Sequence, residues 1–372
     1  MHSHWAGSLW EVIEQVTEIR VSKLQPPSNP ESPAAEPSPG GAGESEVRRY
    51  LLSRGNSAGA DRAFHWLMVL CGLSIFAIVA LIVFELVLRS QESLHAFGWS
   101  FFFKADHDPI TGQPIYWDPV NGHYSALPFV YGTLVSSFLS LLLAVPLAVG
   151  VAIFLTEMCP RALRGILAFL TELLAAIPSI VYGLWAVYIL VPLLRQYVNP
   201  LLIHSLGWTG LFGDDNPTGL GYTTSAVILA IMILPIISSL TREVMTAVPH
   251  SQREAVLALG ATRWEMIRMG VLRNARIGIV GAVILGLGRA LGETMAVTMV
   301  IGNTPEISKS LLANGASMAA VIANEYAEAV SDIHRSALTE IGLALFVVTI
   351  IVNAAARLLV WEVTRGAPAR VV

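Results

Sequence analysis

Residues 286–302, GLGRALGETMAVTMVIG, place a guanidinium, Arg289, four positions before a carboxylate, Glu293, inside an apolar, glycine-rich run. At the centre of a membrane segment each charge is costly, and ionisable residues held there mark substrate or ion paths by default. A guanidinium offers a planar fork of donors suited to an oxyanion. Arg289 is therefore the candidate binding group and an anion the candidate cargo, with Glu293 limiting how tightly that anion is held so that it can leave. On a helical wheel with Arg289 at zero, Glu293, Gly286, Ala296 and Gly292 fall at roughly +40°, +60°, −20° and −60°. The charges thus share a face with Gly286, Gly292 and Ala296, small residues that let another helix approach closely, so this face points at protein or at a water-filled path. The bland alternative is a structural pair that neutralises itself. Against it stands the order Arg before Glu, the less favourable arrangement at this spacing.

The glycines of GLGRALG do not form a phosphate-cradling loop: the run lacks the G-x-G-x-x-G spacing and no strand precedes it. Nor does the chain contain G-x-x-x-x-G-K-[ST]; none of its three lysines follows a glycine. It carries no recognisable ATP site, and any ATP that drives it must be hydrolysed by another subunit. No metal site is expected.

The elements that must position the pair are membrane helices. Of 372 residues, 54% are hydrophobic and 13% charged, outside the range of a soluble domain. Cys71 and Cys159 cannot build a disulfide framework, and a net charge of −4 does not argue for nucleic acid. A spanning helix needs roughly 20 apolar residues, and six stretches qualify: 65–88, 127–155, 165–192, 223–241, 277–301 and 338–360. The first begins too far from the start for a signal peptide and is expected to remain as an anchor. Lys and Arg collect in the N-terminal tail, after the second and fourth spans, and at the C-terminus. The opposite side holds Arg89, Lys104, Arg195, Lys309 and Arg335. Both termini are therefore expected in the cytoplasm.

Residues 25–47, QPPSNPESPAAEPSPGGAGESEV, read as a disordered linker. Before it, Leu9, Val12, Ile13, Val16 and Ile19 repeat at helical spacing among acidic residues, the pattern of a short amphipathic helix. On the outer side, the aromatics Phe97, Trp99, Phe101, Phe102, Phe103, Tyr116 and Trp117 read as an interfacial belt. A second outer segment, 303–337, holds a short helix too polar to span. Pro146, Pro178 and Pro235 lie within apolar spans and are expected to kink them.

Between spans 4 and 5 the loop REAVLALGATRWEMIRMGVLRNAR, 253–276, reads as helix, sharp turn at Gly260, helix: a shelf on the cytoplasmic face. It resembles the E-A-A loop of ABC importer permeases. Glu254, Ala255 and Gly260 match the pattern, while Val256 stands for its third residue and Arg273 for its closing proline. ALPFVYGTLVSS at 126–137, VPLAVGVAIFLTE at 145–157, LLAAIPSIVYGLWAV at 173–187 and GRALGETMAVTMVIGN at 288–303 are similar to PstC-type permeases of phosphate importers. The resemblance covers roughly 63–360.

It implies an all-α membrane protein with six transmembrane helices and a cytoplasmic coupling-helix loop, in the bacterial inner membrane. Residues 1–62 would be an N-terminal extension, 63–364 the permease domain and 365–372 a cytoplasmic tail. It further implies a substrate path at Arg289 and Glu293, and coupling to an ATPase at Glu254, Ala255 and Gly260. The implied partners are a homologous second permease, two ATPase subunits supplying ATP and Mg, and a periplasmic phosphate-binding protein. The chain itself would be a transporter subunit and not an enzyme. The rivals are a permease for another oxyanion, or an ion-coupled secondary transporter using the Arg289–Glu293 pair; discontinuous helices and inverted repeats would favour the latter.

Overall fold

The computed structural model describes residues 58–107, 112, 114–213 and 216–365. The expected amphipathic helix and linker of the N-terminal extension, and tail residues 366–372, lie outside them. The chain divides into Met1–Leu73 and Ser74–Val372; of the first, the opening of one long helix is described.

That helix, α1, runs Ala58–Arg89 and is apolar on every face. Residues such as Phe76, 77% exposed, are laid open, as in a helix whose solvent is lipid. Helices α2 (Gln91–Phe97) and α3 (Ser100–Phe103) follow. Next come two antiparallel ribbons, β1 (Asp106–His107) with β2 (Pro114–Ile115) and β3 (Trp117–Asp118) with β4 (His123–Tyr124). At the second ribbon's turn, Asp118 accepts from the side chain of Asn121 and from the backbone N–H groups of Val120 and Asn121, which holds its carboxyl below the usual range.

The remaining helices are α4 (Leu127–Met158), α5 (Arg161–Ala176), α6 (Ser179–Thr209), α7 (Tyr222–Thr246), α8 (His250–Ala258), α9 (Arg263–Leu291), α10 (Met295–Val300), α11 (Met318–Glu325) and α12 (Asp332–Arg365). Six are long and apolar enough to cross a membrane: α1, α4, α6, α7, α9 and α12. This is the all-α, six-span architecture expected, with two changes of boundary. The expected span 165–192 is broken, because Pro178 forces the preceding residue out of the helical region: Ile177 sits at φ −67°, ψ 130°. The expected span 277–301 starts earlier, at Arg263, and is interrupted at Gly292–Thr294, where glycine and a β-branched residue weaken the helix.

Helix α7 is the centre of the bundle: 67% of its most apolar window is buried, against 28% or less in the other spans. Ala144, Ala148, Leu229, Ile233, Ile237, Ala282 and Ala290 join it to α4 and α9 through small side chains that permit close approach. Loop 302–317 is wedged between the N-terminal ends of α4 and α7. Tyr131 and Tyr222 donate to the carbonyls of Ser308 and Glu306 at 3.0 and 3.3 Å. A Cβ on Gly132 would stand 2.0 Å from the carbonyl oxygen of Ala316.

The aromatics of the outer segment correct the belt reading in part. Trp99 and Phe103 are exposed, but Phe101 and Trp117 are buried at 0% and 8% exposure, with Phe129, Leu338 and Ile341. The segment folds back over α11 and α12, so these rings meet protein; the Trp117 indole finds its partner in Glu325 at 2.9 Å. Glu340 in α12 is fully buried, and neither of its carboxylate oxygens has a hydrogen-bond partner among the described residues.

Two outcomes follow from this packing. Gly132→Ala drives a methyl group into backbone and costs about 1–3 kcal/mol or more, whereas Gly150→Ala, with nothing within 4 Å, is near neutral; thermal unfolding of the detergent-purified protein separates them. Glu340→Gln keeps shape while removing a buried ionisable group, so the melting temperature holds or rises.

Candidate functional site

Arg289 lies in the last turn of α9, where a cation complements the negative end of the helix. Its depth follows from the antiparallel packing of α9 on α7. A Cβ on Gly286 would meet the side chain of Ile237 at 2.7 Å, and one on Gly278 that of Val244 at 2.4 Å, so Gly286 stands opposite the middle of α7. Arg289 is one turn further toward the outer end. Gly286, Leu287, Ala290 and Leu291 are buried, while Leu285, Arg289 and Gly292 are exposed. The guanidinium therefore projects from a face this chain does not cover.

Glu293 does not continue that helix. It sits in the interruption and, half-buried, accepts from the backbone N–H of Ala296 at 3.4 Å, a carboxylate at the start of α10. The wheel angles drawn through 289–296 fail beyond Leu291 because the helical phase is lost there. No ion pair joins Arg289 to Glu293 among the described residues, and each charge instead serves the end of its own half-helix. Of the three small residues, Gly286 and Ala296 are buried, and Gly292 is exposed with open space beside it save for the carbonyl of Gly288.

The second interruption, at Ile177–Pro178, lies alongside the first. A Cβ on Gly183 in α6 would stand 3.2 Å from the Cα of Ala296 and 2.6 Å from the sulfur of Met299 in α10. Tyr182, one turn into α6, donates its hydroxyl to the carbonyl of Leu174 at 2.7 Å, adding a shorter bond to the 3.4 Å one that this carbonyl accepts from the Ile177 N–H at the end of α5. The Arg289 guanidinium is within electrostatic reach of the same phenol. Sequence reasoning missed Tyr182. Its signal was a tyrosine four residues after a proline inside an apolar run, where a broken helix needs a donor.

The shelf expected from the 253–276 loop is helix α8, a left-handed Gly260 at φ 82°, and a capping box in which Thr262 and Glu265 satisfy each other's helix-start groups. Glu254, Ala255 and Gly260 are exposed, as are Leu259 at 88% and Trp264 at 60%, so the shelf presents an apolar edge with acidic Glu254 beside it. Its inner side is anchored. Arg253 is 9% exposed and reaches Glu157, at the end of α4, at 3.1 Å. Gln252 accepts from Asn274 in α9 at 2.6 Å. Neither Arg253 nor Glu157 is given a role by the sequence reading; Arg253 precedes Glu254, and Glu157 closes the stretch 145–157.

The family of binding-protein-dependent transport system inner membrane components matches residues 144–365. The phosphate transport system permease protein PstC of Mesorhizobium japonicum is 43% identical over 324 residues, 86% of this chain and 94% of the relative. Its namesake from Haemophilus influenzae is 42% identical over 324 residues, 86% of this chain and 98% of the relative. Among solved structures, a bacterial ABC transporter involved in import of the acidic polysaccharide alginate aligns with TM-score 0.51 at 16% identity, over 83% of this chain and 100% of the other, a likeness of fold.

The caps at the interruptions carry a measurable load. Tyr182→Phe removes the shorter of the two bonds that the Leu174 carbonyl accepts, leaving the 3.4 Å one from the Ile177 N–H, and the melting temperature falls by an amount equivalent to about 0.5–1.5 kcal/mol.

Proposed function

The chain belongs to the family of binding-protein-dependent transport system inner membrane components, and from that premise we propose a route by which it moves its cargo. It is the permease subunit of an ATP-driven phosphate importer, a multi-pass protein of the inner membrane and not an enzyme. Identity to two phosphate permeases along nearly their whole length carries this reading.

The path runs along the face of α9 that bears Arg289. A guanidinium at this depth does not face lipid, so the exposed stripe Leu285–Arg289–Gly292 is covered in the assembly by a second, homologous permease, and the path lies between the two. Phosphate, delivered from the outer side by a solute-binding protein, meets Arg289 as a charge-assisted hydrogen-bond donor. Glu293 is held at the start of α10 and not on Arg289, which leaves the guanidinium available and places a repelling carboxylate one turn further on. Two ATPase subunits, holding ATP and Mg, press on the exposed edge of the shelf at Glu254, Ala255 and Gly260. Both termini face the cytoplasm.

An ion-coupled transporter also uses broken helices, so the interruptions alone do not choose between the mechanisms. The shelf and the family favour ATP.

Reconstitution with the co-purifying subunits tests this directly. Uptake of phosphate, but not sulfate, is expected to require both the binding protein and ATP. Uptake driven by an ion gradient without ATP would sink the reading. Arg289→Gln is expected to bring phosphate uptake to background while the complex still purifies intact; loss of assembly would show that Arg289 is structural.

A further inference from the structure

Arg253 occupies the first turn of α8, on the side of the shelf away from the edge that an ATPase would press. Its side chain is 11% exposed, and that of its partner Glu157 is 9% exposed, so the pair is withdrawn from water. Nε and Nη2 of Arg253 donate to the same oxygen of Glu157 at 3.3 and 3.1 Å. Nη2 also donates to the carbonyl of Met245 at 2.8 Å, and Nη1 donates to that of Val248.

Those four bonds join three separate parts of the molecule. Glu157 belongs to the last turn of α4, the second span. Met245 is in the last turn of α7, the central span, and Val248 follows it; the Met245 carbonyl also accepts from the Val248 N–H at 3.3 Å, so the guanidinium adds to the cap at that helix end. Arg253 itself belongs to the shelf. Among the described residues it supplies the hydrogen bonds that join α8 to α4 and to α7. Beneath it, Ala152 of α4, Met245 and Val248 pack with Met266, Ile267 and Val271 of α9 in one apolar cluster.

The shelf is tied to α9 by other means. A Cβ on Gly270 would sit 3.4 Å from Val256 and 3.5 Å from the carbonyl oxygen of Gln252, and Asn274 holds Gln252. A displacement of α8 thus passes to the span bearing Arg289 by packing, and to α4 and α7 through one guanidinium.

We propose that Arg253 is a positioning residue for transport: by holding Glu157 and the carbonyls of Met245 and Val248 at once, it makes the shelf, the second span and the central span move as one body. The chemistry requires arginine. A planar fork distributes donors among a carboxylate and two carbonyls in fixed directions, whereas an ammonium is a single point that keeps the charge but cannot span the three acceptors. The inference rests on the reading that ATP-driven closure acts on the shelf.

The test uses the complete complex in proteoliposomes, measuring phosphate uptake and ATP hydrolysis in the same vesicles. For Arg253→Lys, assembly and hydrolysis persist while phosphate moved per ATP falls by about tenfold, the size of an ordinary coupling between sites. Glu157→Gln retains an acceptor without its charge and loses less of that ratio. An unchanged ratio in Arg253→Lys overturns the proposal. So does a parallel loss of uptake, hydrolysis and bound ATPase, since that marks a residue that merely holds the fold, and an unaltered ratio in Glu157→Gln is equally fatal. If the unsubstituted complex shows no ATP-driven phosphate uptake, the functional reading itself has failed, and that result is distinct from either outcome in the variants.

Discussion

A lipid interior offers no water to a backbone N–H or C=O, so every peptide group at membrane depth must find its partner within protein. The architecture around the candidate path follows from this. Two helices break at membrane depth, at Ile177–Pro178 and at Gly292–Thr294. Each break frees polar groups, and each is placed where other helices can serve them. The Tyr182 hydroxyl closes one and the Glu293 carboxylate the other. Close contact at Gly183 brings the two breaks together, so that irregular backbone is covered by protein. What a continuous helix would satisfy automatically is here satisfied by side chains.

The same constraint recasts the two charges. Arg289 at the end of α9 and Glu293 at the start of α10 are each favoured by the dipole of the half-helix they terminate. They need not be paired with one another to be tolerated. The guanidinium is stabilised by a helix end and exposed on a face its own chain leaves bare. The interruption is thus both the reason the charges are stable and the reason they remain separate.

At the shelf the pattern differs. The shelf turns at a left-handed glycine and exposes Leu259 and Trp264, while its inner side is bound by hydrogen bonds to the ends of spans. The shelf thus combines an exposed apolar edge with a tightly held polar underside. The buried Arg253–Glu157 pair combines desolvation with several satisfied donors, the condition under which removing one partner is costly.

Sequence alone determined the elements whose physics is local. Hydropathy and length located six spans, Gly260 and the amphipathic runs beside it located the shelf, and two charges in an apolar run marked the candidate path. It failed where partners are remote along the chain. The wheel through 289–296 assumed a continuous helix, since nothing local says that Gly183 of α6 packs against Ala296 or that the Glu293 carboxylate takes the Ala296 N–H at the break. The outer aromatics were legible as aromatics but not as core, because Trp117 is buried by α11 and α12, more than two hundred residues away for its hydrogen-bond partner Glu325. Arg253 read as one basic residue among several in a cytoplasmic loop, and only the folded chain brings Glu157, Met245 and Val248 around it. Composition decides that the chain lives in lipid, but which charges meet, and which remain open, is decided by how the helices pack.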